Sequence, residues 1–580
     1  MGSGTTGEGG VGPAPREARL KFRSWAGPAL VLMVLIAYAP AFRAGFIWDD
    51  DRYVTKNPAL LDAHGLAAAW TTLDATVQYY PLTHTTFWIE HRLWGLDPRG
   101  YHVVNALLHA TAAVLVWRLL VLLGVPGAWL ASAVFALHPV HVESVAWITE
   151  RKNTLSAVFY LASAHAFLSW ALGEARGFRR PATASALFLA ALLSKTVTAT
   201  LPVALALVLW GKRGALRRAE TGWLVPMLAA GAIFGAITHH LERTQVGAEG
   251  ADWVLAFPAR IVLAGRIVWF YLGKLVWPHP LVFIYPRWVP EPASALSWLP
   301  AAGVVGLLAA AWGLRARFGR LPFASIAYFI VSLAPALGFF TVYPMRYSWV
   351  ADHFQYLASL GPIVLVCACA GTAAAGRPFA RPAAAAVLLA LGVATSSRCL
   401  AFATEETLWR DTLAHNPDAW IAHNNLGILL AQRGASSEAA SHFERVLALR
   451  PEHSGALANL GYLHELMGRD EDAAASLARA VSMRPTDPDA RAHLVRVLLR
   501  LGRPAEALAP ALEASHLRPD DPEILCDAGT LLATAGRPAE GIPLLARALA
   551  LRPGFARAEA NLERARRAAA GGDLEYPPAR

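Results

Sequence analysis

The feature that most constrains this chain is a series of long apolar runs, almost all of which lie before residue 400. A helix needs about 20 apolar residues to cross a bilayer, because each residue adds only about 1.5 Å of rise. Eleven runs approach that length and predict membrane spans, near residues 27–44, 102–123, 128–146, 154–172, 182–194, 197–210, 222–239, 297–314, 321–341, 354–375 and 382–400. The chain is therefore predicted to be all-α and to begin with a polytopic membrane helix bundle of about 11 spans.

An internal repeat follows the last of these runs. Prolines recur at intervals of 34 residues, at Pro417, Pro451, Pro485, Pro519 and Pro553, and glycines keep the same interval. A 34-residue period with a turn glycine and a proline that closes the second helix is typical of tetratricopeptide (TPR) repeats. We predict a TPR α-solenoid of about four repeats over residues 420–553, flanked by helices at Glu405–His415 and from Phe555 to about Ala570.

The charges of the connecting segments predict the side of the membrane on which each segment lies. Cytoplasmic loops carry an excess of Lys and Arg, and basic residues are concentrated in 173–181 and 211–220. Both segments are cytoplasmic if the N-terminus is inside and if the run 258–277, which contains three basic residues, is not a span. We therefore predict that 258–277 is an amphipathic helix on the outer face. Counting it as a twelfth span is the alternative.

These features predict four segments. Residues 1–24 form a disordered cytoplasmic tail, 25–402 a membrane domain with outer loops at 45–101 and 240–296, 403–570 the TPR domain, and 571–580 a second disordered tail. We expect a bacterial inner-membrane protein with its TPR domain in the periplasm. The formal charge of +10 is attributed to the cytoplasmic loops, so nucleic acid is not an expected partner.

The first outer loop begins with three consecutive acidic residues, Asp49, Asp50 and Asp51. One interpretation is a solvated acidic cluster that flanks a helix. The other is a general base at the membrane surface, because burial and a like-charged neighbour raise the pKa of a carboxylate. Asp49 and Asp50 are the candidate catalytic residues.

Cationic side chains are predicted on the same side. Arg151 and Lys152 open the fourth span, against the usual charge bias, and Lys195 lies in a short hairpin between two spans. Arg binds a phosphate through parallel N–H donors, and Lys binds it as a point charge. These three residues are the candidates for binding a donor phosphate.

Other polar and aromatic residues belong to the same predicted face. The candidates for substrate binding are Tyr80, His84, His138, Glu143, Arg346, Asp352 and His353. Aromatic residues in this loop either anchor the protein at the membrane interface or line a sugar groove, and their position fits both. His138 and Glu143 are of metal-ligating types but match no helical ligand spacing, so no metal ligand is predicted and no cofactor is assigned, while a divalent metal is left open.

Several of these segments resemble the transmembrane and TPR-containing proteins of the glycosyltransferase C superfamily, which includes protein O-mannosyltransferases. The matching segments are Phe46–Asp50, Tyr80–Thr83, Trp94–Leu96 with His102, Asn105 and His109, Ala136–Trp147 with Arg151 and Lys152, and Asp352–Gly361. The resemblance covers most of residues 25–560 and is strongest in the first third. It implies inverting transfer of a sugar from a polyprenyl- or dolichyl-phosphate donor to an acceptor, often Ser or Thr hydroxyls of secreted proteins.

The resemblance also implies roles for individual residues. The loop carboxylate of the family corresponds to Asp49 or Asp50, and its phosphate-binding arginine corresponds to Arg151. The chain departs from the family in two places. Asp51 adds a third acid to the loop, and His353 stands where members often carry an Arg.

The leading hypothesis is an integral membrane glycosyltransferase that moves mannose or a similar sugar from a polyprenyl-phosphate donor to exported proteins on the outer face. Its expected partners are the donor, an acceptor protein, membrane lipids, and proteins bound through the TPRs. The alternative is a non-catalytic, membrane-anchored TPR scaffold for periplasmic protein assembly. A transporter is a weaker choice, because the spans lack midplane charges and an evident internal duplication.

Overall fold

A computed structural model describes residues 16–173, 177–247 and 254–571, with side chains from residue 25 onward. Helices are the only regular secondary structure over these ranges, which confirms the predicted all-α fold. Most of the two predicted tails, 1–15 and 572–580, lies outside the described residues. The first helix begins at Arg16, inside the segment that we predicted as a disordered tail.

The chain divides into two compact units, Met1–Pro417 and Asp418–Arg580. The α-helices of the first unit are α1 (Arg16–Ala37), α2 (Ala63–Thr71), α3 (Pro81–Trp94), α4 (Pro98–Leu122), α5 (Ala128–Leu137), α6 (Val142–Ala146), α7 (Arg151–Leu172), α8 (Arg179–Ser194), α9 (Leu201–Arg213), α10 (Arg218–Thr244), α11 (Phe257–Val276), α12 (Leu299–Gly313), α13 (Arg315–Phe318), α14 (Leu321–Leu333), α15 (Leu360–Ala373), α16 (Ala380–Cys399) and α17 (Glu405–His415). The first unit thus includes α17, which we predicted as the beginning of the TPR domain.

Among the described residues of this unit, five helices are long and apolar enough to cross a membrane. They are Pro98–Leu122, Ile148–Leu172, Arg218–Thr244, Ala295–Gly313 and Ala380–Phe402. Each of the eleven predicted runs overlaps a helix, but α8 and α9 have only 16 and 13 residues, so the number of 11 spans stays a prediction. The run 128–146 is not one helix, because Pro139 lacks a backbone donor and α5 ends at Leu137.

The run 258–277 forms α11, and its amphipathic character is confirmed. One side is buried, where Leu263, Ile267 and Tyr271 pack with Phe329 and Leu333 of α14. The basic residues lie elsewhere on the helix. The Arg266 guanidinium, for example, lies 4.4 Å from the centre of the Trp288 ring. The position of α11 relative to the membrane stays a prediction.

The second unit is a series of helical hairpins. Its helices are α18 (Trp420–Gln432), α19 (Ser436–Leu449), α20 (Ser454–Leu466), α21 (Asp470–Met483), α22 (Pro488–Arg500), α23 (Pro504–Leu517), α24 (Pro522–Thr534), α25 (Pro538–Leu551) and α26 (Ala556–Ala569). The turn glycines from Gly434 to Gly536 have φ between 69° and 78°, a left-handed conformation that favours glycine. A Cβ at Gly427 would lie 2.9 Å from the Phe443 ring, so the paired helices are in close contact. The predicted TPR solenoid is confirmed.

Candidate active site

Five ionisable side chains from distant parts of the first unit meet at one end of its helices. Asp49 follows α1, Glu150 and Lys152 lie at the start of α7, Lys195 follows α8, and His353 precedes α15. We call these five residues the charge cluster. Each lies near a helix end, which is where a membrane-spanning helix tolerates charge.

Glu150 is the centre of the charge cluster and is 1% exposed. Its carboxylate lies 3.2 Å from Lys152 Nζ and accepts a hydrogen bond from Lys195 Nζ at 3.0 Å. His353 Nε2 is 3.9 Å away. Glu150 therefore holds together side chains from three separate helix ends, because a buried carboxylate needs charged partners.

A second carboxylate, that of Glu143, fixes the orientation of His353. The Glu143 carboxylate lies 2.7 Å from His353 Nδ1 and accepts a hydrogen bond from the His353 backbone N–H at 3.2 Å. The side chain of Asn153 donates to the His353 carbonyl at 3.0 Å. These contacts turn His353 Nε2 towards Glu150, as its distance from that carboxylate shows.

Asp49 differs from the other acids of this region. It is partly buried, and its carboxylate accepts no hydrogen bond from the described residues. Burial raises the pKa of Asp49 above its ordinary value, while Lys152 and Arg52 oppose the rise and Glu150 adds to it. A partly accessible carboxylate with a raised pKa can accept a proton from a bound hydroxyl group.

The carboxylate of Asp50, the other candidate base, is enclosed by hydrogen-bond donors. Its side chain is fully buried and accepts three hydrogen bonds, from the Thr149 backbone N–H at 2.8 Å, the Thr149 hydroxyl at 2.6 Å and the Ile47 backbone N–H at 2.9 Å. Burial raises the pKa of Asp50 to about 7. The residue joins the loop after α1 to the turn before α7 and does not reach solvent.

The guanidinium of Arg151, the candidate phosphate-binding arginine, is enclosed by acceptors from other parts of the first unit. The side chain is fully buried and donates to both carboxylate oxygens of Glu90 at 2.9 Å and to the Tyr101 carbonyl at 2.9 Å. The side chain of Asn105 accepts from its Nε. These bonds use its main donors, whereas the ammonium groups of Lys152 and Lys195 both contact Glu150.

Tyr80 and His84 lie on the other side of Lys152. Burial raises the pKa of Tyr80 above its ordinary value, and the positive charge of Lys152 opposes that rise. His84 stacks on Tyr53, whose ring lies 4.8 Å from Lys152 Nζ. Burial, with Lys152 adding to its effect, lowers the pKa of His84 to about 4, so the imidazole is neutral.

The remaining three candidates surround the charge cluster without joining it. His138 bonds to the Leu275 carbonyl at 3.0 Å. Asp352 accepts from the Tyr285 hydroxyl at 2.9 Å, and burial, with Glu143 adding to its effect, raises its pKa to about 8. Arg346 is partly buried beside Tyr347, a residue whose ring contacts Trp48 at 6.0 Å. His138 and Asp352 therefore have structural partners, whereas Arg346 is near the loop that carries Asp49.

Sequence reasoning missed Glu150 and Trp48 as site residues. Glu150 stands directly before two basic residues, and that adjacency is the only sequence signal for its role. Trp48 precedes Asp49 and stacks on Trp147 with a ring-centre distance of 5.6 Å. No local pattern predicts that contact, because it joins residues 99 positions apart.

The described ranges contain no group of three or more His, Cys, Asp or Glu side chains that could hold a metal ion. Within the charge cluster, Lys152 and Lys195 pair with Glu150. A divalent metal stays an open question of the sequence analysis.

Comparison with protein families identifies the repeats. The tetratricopeptide repeat family matches residues 406–454, 436–490 and 471–525. The first match begins at Glu406, within α17. The chain therefore contains tetratricopeptide repeats, and the helix before the boundary of the two units carries part of the repeat pattern.

Curated relatives are named protein O-mannosyl-transferases. A protein O-mannosyl-transferase of Caenorhabditis elegans is 30% identical over 172 residues, which cover 27% of this chain and 25% of that protein. TMTC2 of Mus musculus is 34% identical over 140 residues, 22% of this chain and 17% of that protein, and TMTC4 of the same organism is 31% identical over 164 residues, 24% and 22%. The chain matches a quarter or less of the length of these relatives.

Two of the solved structures that are similar to part of this chain are YrrB and MamA. YrrB, a TPR protein with an unusual peptide-binding site, is 22% identical with a TM-score of 0.26 and covers 27% of this chain and 81% of its own. MamA is 18% identical with a TM-score of 0.24, and the match covers 26% of this chain and 90% of the MamA chain. This likeness concerns the fold alone.

Proposed function

We propose that this protein is a membrane glycosyltransferase that moves a sugar from a polyprenyl-phosphate donor to a hydroxyl group of an exported protein, with inversion at the sugar. The observation that carries the proposal is the environment of Asp49. Asp49 has a partly buried carboxylate without a hydrogen-bond partner among the described residues, and it interacts electrostatically with Lys152, one of the two lysines that pair with Glu150. The names of the curated relatives support a sugar transfer to proteins.

In the proposed reaction, Asp49 accepts the proton of the acceptor hydroxyl as its oxygen attacks the anomeric carbon. The bond between that carbon and the donor phosphate oxygen breaks, and the lipid phosphate leaves with the electron pair. Attack and departure on opposite faces invert the anomeric centre. The raised pKa of Asp49 suits a base that must accept a proton near neutral pH.

Lys152 and Lys195 are the proposed donors to the departing phosphate. A lysine ammonium has three N–H donors, and each of these two lysines forms an ion pair with Glu150. Two ammonium groups share one carboxylate, so both retain donors for a phosphate oxygen. Their side chains are 10% and 14% exposed, which places them in a region of reduced dielectric where such contacts are stronger.

The sides of the membrane follow from the charge bias of the loops. We place the charge cluster and the TPR domain on the outer face, in the periplasm of a bacterial cell, where exported acceptors are found. The TPRs are proposed to hold acceptor proteins or partners, because stacked TPR hairpins form extended binding surfaces.

The test is a transfer assay on the full-length protein with a polyprenyl-phosphate mannose donor and a Ser/Thr-rich peptide. Asp49→Asn is expected to lower transfer by roughly 100-fold or more, because an amide cannot accept the proton. Asp51→Asn is the matched control. Its carboxylate is already paired with Lys56 at 2.5 Å and Thr55 at 2.7 Å, so transfer should be unchanged. Undiminished sugar transfer by Asp49→Asn would contradict the proposal.

The non-catalytic scaffold is the second candidate. It is favoured by one observation, which is that the tetratricopeptide repeat family matches residues 406–525. A scaffold predicts no transfer by the wild-type protein with any lipid-phosphate sugar, and it predicts unchanged partner binding in Asp49→Asn.

A further inference from the structure

The residue before Asp49 has an unusual backbone. Trp48 has φ of 43°, and it is the one non-glycine residue with positive φ among the described residues. A bulky residue adopts this left-handed conformation only where its surroundings impose it. Because Asp49 is the next residue, whatever imposes this conformation also sets the direction of the Asp49 side chain.

The Trp48 ring is held by aromatic side chains from other parts of the first unit. It stacks on Trp147 and meets Phe283 and Trp409 edge to face, with centre distances of 5.3 Å and 5.6 Å. Trp409 also contacts Phe283 at 5.7 Å and is fully buried. Trp409 is thus in a position to close this aromatic group on one side of Trp48.

Trp409 belongs to α17, and several bonds fix that helix to the first unit. The Asn416 side chain donates to the Ile284 carbonyl at 3.0 Å. Arg398 of α16 pairs with Asp411 at 2.5 Å. Just before α17, the Ala403 carbonyl accepts from the Gly45 backbone N–H at 2.9 Å, which ties this segment to the start of the Asp49 loop.

We propose that α17 is a positioning element for the Asp49 loop, and that Trp409 holds Trp48 in the left-handed conformation that aims Asp49 at its substrate. This inference rests on the proposed function. Part of the TPR repeat pattern lies in α17, and the inference gives this helix a second role within the first unit. Trp409 is a positioning residue, because it touches Trp48 and not the reacting groups.

Loss of the Trp409 indole removes one wall of the aromatic group. Trp48 can then relax to a common backbone conformation, and Asp49 turns towards solvent. Two consequences follow for Asp49. Its side chain becomes more accessible. Its carboxyl also loses part of the burial that raises its pKa, so the pKa falls, because the effects of Lys152, Arg52 and Glu150 are unchanged.

The test measures accessibility at position 49 without reference to activity. Asp49→Cys is placed in a full-length Cys369→Ser background, since Cys369 is exposed and the other three cysteines are buried. Adding Trp409→Ala is expected to raise the labelling rate by a membrane-impermeant thiol reagent roughly tenfold, the scale set by relief of left-handed strain. Trp409→Phe should restore the original rate, because it keeps an aromatic edge against Trp48.

Two further variants guard against misfolding. Asn416→Ala removes one bond of α17 without creating a large cavity, and it should raise labelling in the same direction by a smaller factor. Trp420→Ala is the matched control, because Trp420 lies in the second unit against His453 and Arg450. It should leave labelling at position 49 unchanged.

The pH profile of sugar transfer, measured with Asp49 intact, is the second readout. Trp409→Ala should move the acidic limb to lower pH, a shift that general destabilisation does not produce. Unchanged labelling in both Trp409→Ala and Asn416→Ala would overturn the inference, even if Asp49→Asn is inactive. If labelling depends on Trp409 but Asp49→Asn still transfers sugar, the positioning contact stands and the proposed function fails.

Discussion

The charged residues of the two units are organised in opposite ways. In the TPR unit, Arg469–Asp472, Arg503–Glu506 and Arg537–Glu540 repeat one ion pair every 34 residues, with side chains 40% to 57% exposed. In the membrane unit, Arg151 and Glu90 pair at 2.9 Å with side chains 0% and 5% exposed. The repeated pairs join residues three positions apart, whereas Arg151 and Glu90 are 61 positions apart.

Exposed and buried ion pairs therefore differ in how much they contribute to the stability of the fold. Exposed ion pairs add little stability, because water solvates both charges and salt screens them. Removing one partner of a buried pair destabilises a protein much more than replacing both partners by apolar residues does. The reason is that removal of one partner leaves the other charged in a medium of low dielectric. The repeated pairs therefore lie on the surface of the TPR unit, while the buried Arg151–Glu90 pair joins α3 to the start of α7.

The largest expected effect comes from breaking the buried pair. Glu90→Ala leaves the Arg151 guanidinium buried without its carboxylate and should lower the free energy of unfolding by about 3–5 kcal/mol. Thermal unfolding of the purified protein in detergent measures the change. A double variant with Glu90→Leu and Arg151→Met should recover much of the loss. A cost of less than about 1 kcal/mol for Glu90→Ala would contradict the assigned role.

Asp50→Asn should destabilise the protein by about 2 kcal/mol at pH 5. The amide NH2 group replaces one carboxylate oxygen and then faces a hydrogen-bond donor of Ile47 or Thr149. The cost should shrink as pH rises. Burial raises the pKa of Asp50 from 3.8 to about 7, so its contribution to stability is full below pH 3.8 and is lost as pH rises through about 7. Unfolding midpoints of wild type and variant between pH 4 and pH 8 test this convergence. Parallel curves would argue against it.

Arg52→Gln tests the electrostatics of Asp49 with an exposed residue. Arg52 opposes the rise in the Asp49 pKa, so its removal should move the acidic limb of sugar transfer upward by about 0.3 pH unit, a small shift because water screens the charge. The pH profile of transfer at low salt is the measurement. Arg99→Gln, an exposed arginine at the start of α4, is the control. A limb that stays in place or moves downward would show that Asp49 does not set it.

The smallest effect is expected in the TPR unit. Arg503→Ala removes one repeat of the exposed pair and should leave the unfolding midpoint unchanged, because Glu506 remains solvated. Arg491→Ala is the matched comparison within the same unit. Arg491 is buried and bonds to Glu513 and to the Pro485 carbonyl, so its loss should lower the midpoint. Equal effects of the two variants would remove the distinction between repeated and buried pairs.

Much of the fold could be predicted because it depends on local periodicity. The interval of 34 residues specifies the TPR hairpins, and the apolar runs coincide with helices of the membrane unit. The errors arose where a local break mattered more than composition. Pro139 ends α5 at Leu137, so the run 128–146 is not a single helix.

The candidate site was predictable only as a region. The sequence placed acids near basic residues at one end of the helices, and the structure brings Asp49, Lys152, Lys195 and His353 together there. It did not separate Asp49 from Asp50, because adjacent identical residues share every sequence pattern. Their difference lies in three hydrogen bonds to Ile47 and Thr149.

By itself, the sequence determined that the protein is all-helical, that apolar segments precede a TPR solenoid, and that three consecutive acids follow the first apolar run. Those properties depend on residue order over at most a few tens of positions. Only the tertiary structure decided that Arg151 is paired with Glu90, that Glu150 joins two lysines, and that Trp409 packs on Trp48. The physical reason is that each of these contacts joins distant positions, and burial then decides which charges remain available to a substrate.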